Sequence, residues 1–558
     1  MNKKLTTRKR VVFLGIILTT LLLALTIRLA YIQIILGEIY SQKALEQRTL
    51  PITISRVRGD ILDRNRIPLT RRKQSSFLLI FPSYFNDNNP LFNTISNMIG
   101  LDNKKIQEIF SQNRPFVEYE IINRNPEVER QIEQGKYPGL MITRKTKRYD
   151  DTSIARHLIG YLKKSDYSPQ SGIEKEYNKY LHSDDALMAY AMTDAKNRVL
   201  PGTVYMLQKT NQPYYNIQLT IDYYIQKILE DALDRYAERA GGVIIDVQTG
   251  EILALASRPN FDQNNIQQAF NNKDSLWAVP MKAFPPGSLF KIVVSAAGLE
   301  QGLYNGDMRY NCNGEISVNG VKYSCHPTIG GLGDISIKEA FAHSCNDAFI
   351  SMAQRIGGKA IIDMAKKMAI GQALEIGLDN EPGNLPTEDQ YAGAGIGNLA
   401  LGQGKIEATP LQIAQMMTII ANDGIKKELS LIKAIIDPSG TIVENLSDKG
   451  REEQRVIHYK TAQELKSWML AVTKYGTGKN AYSQKAGGSA GKTGTPQISG
   501  DPDAKYYGWF AGFFPQTRPR YVVVILVRQE SEGGDLAAKI FKEIADGVSY
   551  YTENLVLP

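Results

Sequence analysis

Ser288 and Lys291 stand three residues apart in AFPPGSLFKIVVSAAGLE (283–300), and that spacing puts both side chains on one face of a helix. A hydroxyl is a weak nucleophile until a neighbouring base takes its proton. A lysine can be that base only when its pKa falls, and burial among Phe290, Ile292 and Val293 would favour the neutral amine. Pro285, Pro286 and Gly287 interrupt regular structure just before the serine, so Ser288 is expected in the first turn of a helix whose N-terminus would stabilise an oxyanion. The chemistry open to this pair is nucleophilic acyl transfer. Taken alone, a helix-capping serine followed by a snorkelling lysine would read the same way.

Two further stretches bear on the choice. AHSCNDAFISMA places Ser344 and Asn346 at the start of a second helical pattern, and AGKTGTPQ places Lys492, Thr493, Gly494 and Thr495 on a strand. The five histidines are His157, His182, His326, His343 and His458, of which only His326 and His343 lie near these segments. No G-x-S-x-G context accompanies them, so lysine is the better candidate for the base.

All three cysteines, Cys312, Cys325 and Cys345, fall within 34 consecutive residues, and Cys345 is the middle residue of S-x-N. Three readings are open. They are inert buried thiols, a disulfide with one thiol left over, or a structural zinc site completed by His326, His343 or Asp334.

The elements that must position these residues follow from hydrophobic periodicity. LTIDYYIQKILEDALDRYAERA has helical spacing, with Asp222 at its start. GGVIIDVQTGEILALASRPN reads as a hairpin turning at Gln248-Thr249-Gly250. KTGTPQ, YYGWFAGFF and YVVVILVR are three more strand candidates, and DLAAKIFKEIADGV closes as an amphipathic helix. Helix, hairpin, helical insert, strands and helix in that order imply an α+β fold, an antiparallel sheet with helices packed on it. Residues 37 to about 212 are polar and irregular, with strand-like PITISRV and FLLIF between turn clusters such as FNDNNP.

At the N-terminus, Val11 to Ile27 is 17 residues without a charge. At about 1.5 Å per residue the run covers about 25 Å of a bilayer, and Lys3, Lys4, Arg8, Lys9 and Arg10 precede it. An uncleaved anchor with its N-terminus in the cytoplasm and residues 37–558 outside is expected. The formal charge of +8 comes from 66 basic and 58 acidic residues that are intermixed, so no nucleic-acid partner is indicated.

The ordered set S-x-x-K, S-x-N, K-T-G resembles the penicillin-recognising serine enzymes. RGDILDRNRIPLT (58–70), RYDDTSIARHLIGY (148–161), SGIEKEYNKYL (171–181), VIIDVQTGEILALASRPNFDQN and GIGNLALGQGKIEATPLQIAQMMTIIANDG extend the likeness to the class B penicillin-binding proteins, monofunctional peptidoglycan transpeptidases. No glycosyltransferase region precedes them, which sets the chain apart from the bifunctional class A proteins. The resemblance implies a β-lactamase/transpeptidase-like domain at 213–558. A cytoplasmic tail (1–10), a transmembrane anchor (11–36) and an elongated, mostly β pedestal related to the dimerisation domain (37–212) would precede it.

By the same resemblance, Ser288 attacks a stem peptide ending in D-Ala-D-Ala and Lys291 receives its proton. The backbone N–H groups of Ser288 and Thr495 hold the oxyanion, and Ser344 and Lys492 relay a proton to the leaving D-Ala. Thr493, Thr495 and Lys492 hold its carboxylate, and Asn346 binds the donor amide. Gly494 is expected to keep the cleft open. No cofactor is required for this chemistry, β-lactams would acylate Ser288, and a polytopic glycan polymerase is the implied partner. A β-lactamase, a β-lactam sensor and a scaffold that activates a polymerase are the alternatives. The long pedestal weighs against the first and the ten-residue tail against the second.

Overall fold

The computed structural model describes residues 2–71, 73–82, 85, 91–111, 116–192, 206–208, 214–325, 330–447, 453–497, 505–529 and 534–554. The chain divides into two compact units that do not follow its order. One holds 1–57, 74–146 and 183–213; the other holds 58–73, 147–182 and 214–558.

The first unit begins with helix α1 (Asn2–Ala30). Arg8–Ile35 is long and apolar enough to cross a membrane, and none of its apolar window is buried in the protein. The strand-like PITISRV lies in strand Thr49–Arg58, which shares a sheet with His182–Met192 and Met206–Gln208. A second sheet has Lys73–Ile80, the FLLIF strand, between Val117–Glu120 and Leu140–Lys147. Helix Phe92–Ile99 covers it, and Leu78, Ile80, Ile95, Met98, Ile99 and Ile132 share one core. Helices therefore accompany the strands expected here.

The second unit takes up the three motif-like segments that the sequence places in the pedestal. Ile61, Leu69, Leu158, Ile159, Ile173 and Leu181 belong to the same hydrophobic core as the transpeptidase-like sheet. Ile61–Leu62 pairs in parallel with Ile217–Gln218. The Glu174 carboxylate is fully buried and accepts from Arg58 at 2.7 Å, from the Tyr149 hydroxyl at 2.6 Å and from Arg148. A buried carboxylate is tolerated only with such partners, and the two guanidiniums keep it ionised against its burial.

The central sheet contains β1 (Ala240–Asp246), β2 (Ile252–Arg258), β3 (Ala490–Gly494), β4 (Tyr506–Phe514) and β5 (Tyr521–Gln529). Its spatial order is β2-β1-β5-β4-β3, antiparallel throughout. The hairpin read at 241–260 is β1–β2. Strand alternation sends Ile244, Val523, Ile525, Phe510 and Phe514 to one face, where they meet α2 (Tyr223–Tyr236) and the closing helix. Val243, Ile245, Val522, Val524 and Trp509 point to the other face, toward the helical insert. Both faces are buried, so these strands are continuously apolar.

Within the insert are α3 (Lys291–Glu300), α4 (Asn346–Ile356), α5 (Pro410–Ala421) and α6 (Tyr459–Lys474); α7 (Asp535–Asn554) closes the chain. Asp222, expected at the start of this helix, caps α2, accepting from the Tyr224 and Ile225 amides. Every residue of α5 is buried, and a capping box of Thr409 and Gln412 starts it.

Candidate active site

Ser288 lies in a 3-10 turn, Gly287–Phe290, which runs directly into α3. The expected first turn is therefore a tighter helix, in which residues three apart eclipse one another. The turn is clamped on several sides. Gly287 donates its N–H to the Gly402 carbonyl at 3.0 Å, the Ala283 N–H donates to Glu381 at 2.7 Å, and the Trp509 indole donates to the Pro285 carbonyl at 3.0 Å. Gly287 has φ +54° and Gly402 φ +65°; a Cβ on Gly402 would sit 2.1 Å from the Gly287 oxygen. Only glycine fits that approach.

Ser344 and Asn346 come from two helix ends set back to back. Helix Ile337–Ala342 finishes in a Schellman motif, with Ser344 N–H to Phe341 carbonyl at 3.1 Å and Cys345 N–H to Ala340 carbonyl at 2.8 Å. Ser344 takes the left-handed position, φ +59°, where glycine is usual. Cys345 then caps α4, and Asn346 is its first residue.

Lys291 is fully buried, and its Nζ donates to the Ser344 carbonyl at 2.6 Å, the Ser344 hydroxyl at 3.1 Å and Asn346 Oδ1 at 2.7 Å. The Phe349 ring lies 5.5 Å from it. Burial pushes its pKa down to about 8, opposed by the sulfurs of Cys345 and Cys325. All three donors of the ammonium are used, so accepting a proton from Ser288 requires the neutral amine and the release of one of these bonds. Asn346 is engaged at both ends, since its Nδ2 donates to the Ser324 carbonyl at 2.8 Å.

Lys492 is fully buried on β3, and its Nζ donates to the Thr493 carbonyl at 3.1 Å. Burial first, and the charge of Lys291 second, hold its pKa well below the usual lysine range. The structure thus joins Ser344 to Lys291, while Lys492 turns to its own strand. Two lysines share one dry region, the arrangement that drives pKa values apart.

β3 is an edge strand, and among the described residues nothing pairs with its outer side. Gly494 lies against the turn that carries Ser288. A Cβ there would lie 2.7 Å from the Pro286 oxygen and 3.2 Å from Leu289, so the missing side chain lets the strand touch the Ser288 turn. Thr493 Oγ1 is 2.6 Å from Thr477 Oγ1. Thr495 follows the strand end, half-buried.

Three of the four described histidines have partners outside this group. His343 packs on Tyr475, His458 pairs with Glu300, and His157 donates to the Ser275 carbonyl; His326 lies outside the described residues. Trp509, Gly402 and Thr477 escaped the sequence reading. Gly402 alone had a signal, its place within ALGQGK.

The chain is similar to known proteins over most of its length. The profile of the penicillin-binding protein transpeptidase domain matches residues 240–546, and that of the penicillin-binding protein dimerisation domain matches 53–219. Penicillin-binding protein PbpB of Mycolicibacterium smegmatis is 32% identical over 438 residues, covering 74% of this chain and 66% of the relative. Peptidoglycan D,D-transpeptidase FtsI of Escherichia coli is 25% identical over 553 residues, 93% of this chain and 88% of the relative. Penicillin-binding protein 3 of Mycobacterium tuberculosis, solved with aztreonam, superposes with a TM-score of 0.62 at 25% identity, covering 90% of this chain and 98% of the other. With its transpeptidase domain, its dimerisation domain and its S-x-x-K, S-x-N and K-T-G segments gathered around one sheet edge, the chain belongs to the class B penicillin-binding proteins.

Proposed function

We propose that this protein is a peptidoglycan D,D-transpeptidase of cell wall synthesis that works through an acyl-enzyme on Ser288. The observation that carries the reading is the buried Lys291 bonded to Ser344 and Asn346, a lysine whose burial brings its pKa down to about 8, within reach of service as a base. Ser288 Oγ attacks the penultimate D-Ala carbonyl of a stem peptide and Lys291 takes the hydroxyl proton. The tetrahedral oxyanion lies against the N–H groups of Ser288 and Thr495. Collapse expels D-Ala, whose amine receives its proton through Ser344. Its carboxylate lies with Lys492, Thr493 and Thr495. An amine of a neighbouring stem peptide then attacks the ester, restores the Ser288 hydroxyl and completes the crosslink.

The open edge of β3 suits a substrate laid down as an added strand. β-Lactams acylate the same oxygen and stay. The basic residues before the apolar helix support a cytoplasmic N-terminus and a catalytic unit outside. The span and the first unit offer the surface for a polytopic glycan polymerase.

Intact-mass spectrometry of the chain with a penicillin, beside Ser288→Ala, tests the reading. A lasting single adduct absent from the variant is expected. An adduct that persists in the variant, or one that hydrolyses within minutes, removes it.

A further inference from the structure

Cys312, Cys325 and Cys345 converge from three elements. They end strand Arg309–Cys312, follow strand Val321–Ser324 and cap α4, respectively. All three are buried. The Cys325–Cys345 and Cys312–Cys325 sulfurs lie 3.7 and 3.9 Å apart, and Cys312–Cys345 3.0 Å. A tetrahedral zinc ion with bonds of about 2.3 Å holds its sulfurs about 3.8 Å apart. Two of the three edges have that length already.

A second observation concerns what faces the sulfurs. The Asp347 N–H points to Cys325 Sγ at 3.5 Å, and the Ala348 N–H to Cys345 Sγ at 3.4 Å. These are amides of the first turn of an eleven-residue helix. Such donors and the positive helix end favour thiolates, the form a metal requires. A disulfide would employ two sulfurs and leave the third idle, whereas a metal employs all three. Two of the fourth ligands considered from sequence are committed elsewhere: His343 packs on Tyr475 and Asp334 is ion-paired with Arg309.

We propose that Cys312, Cys325 and Cys345 form a three-thiolate site for a thiophilic divalent cation, Zn2+, with its fourth vertex open to water or a further donor. Binding exchanges three thiol protons for the ion and changes no oxidation state. Cys345 lies between Ser344 and Asn346, the two residues that bond Lys291. The ion is therefore a clamp on the turn that positions the proposed base and takes no part in bond making.

The test uses the full chain purified in detergent under reducing conditions. Elemental analysis is expected to give one zinc per chain, surviving desalting and lost in Cys312→Ser/Cys325→Ser. Exchange with Co2+ is expected to give a thiolate-to-cobalt charge-transfer band with tetrahedral d–d absorption. Zinc-free protein with three alkylatable thiols overturns the proposal, as does an intact mass lower by two hydrogens that marks a disulfide. Should the double variant fail to fold, the zinc content and cobalt spectrum of the unaltered chain decide alone.

Discussion

The Trp509 indole N–H donates to the Pro285 carbonyl at 3.0 Å, and Trp509 is also the β4 residue paired with Gly494 on β3. One buried ring thus ties the edge strand to the turn that carries Ser288. Trp509→Phe keeps most of the bulk and removes the donor. Leaving the carbonyl unpartnered costs about 1–3 kcal/mol. We expect the rate of β-lactam acylation to fall roughly tenfold with only a small shift in melting temperature. An unchanged rate in stopped-flow measurements would show that the turn is held without the indole.

Lys291 acts as a base only when neutral, and the neutral fraction grows as pH rises through its pKa of about 8. Acylation should climb about tenfold per pH unit below that point and level off above it. Lys291→Arg places the proton out of reach, since an arginine is not deprotonated in a protein. The variant should lose at least about a hundredfold in rate. A flat pH–rate profile for the unaltered enzyme would assign the base elsewhere.

Ser344 combines a hydroxyl with a left-handed backbone. Ser344→Gly removes the hydroxyl and relieves the backbone, which costs a non-glycine residue about 1 kcal/mol. It should therefore melt higher than Ser344→Ala while both lose turnover of a peptide substrate. Equal melting temperatures for the two variants would contradict the Schellman assignment.

His157 donates to the Ser275 carbonyl and packs edge-on against Phe261, and burial pushes its pKa down to about 4. The unfolded chain would titrate near about 6.5. Between those values the unfolded state binds the extra proton, so stability rises with pH across that window. The contribution of His157 is complete above about pH 6.5 and is lost as pH falls toward about 4. His157→Gln, which keeps a donor for Ser275, should flatten the dependence of melting temperature on pH over that range. A variant as steep as the unaltered chain would place the titration in other groups.

Much of the site was legible because its chemistry is local. S-x-x-K needs one turn of helix, and the positions of Ser288 and Lys291 follow from spacing alone. Strands β1, β4 and β5 of the central sheet announce themselves as largely apolar runs of 7 to 9 residues between turn signals. What stayed hidden is non-local. Nothing in RGDILDRNRIPLT says that Ile61 pairs with Ile217, 156 residues on, so segments read as pedestal join the transpeptidase-like unit. That Gly494 also lies against Pro286 shows only once the chain is folded. Thr477 carries no pattern of its own; only folding brings its hydroxyl to Thr493.

The burial of Lys492 has a consequence for ligand binding. Desolvation first, and the charge of Lys291 second, loosen the hold of Lys492 on its proton, so the amine has less charge to offer an arriving carboxylate. The carboxylate itself opposes that shift, because a fixed anion beside the amine raises its affinity for a proton. Substrate and β-lactam should therefore each draw a proton from solution as they dock, before any covalent step. In a chain held unreactive by Ser288→Ala, the heat of binding should vary with the ionisation enthalpy of the buffer, and affinity should weaken as pH rises.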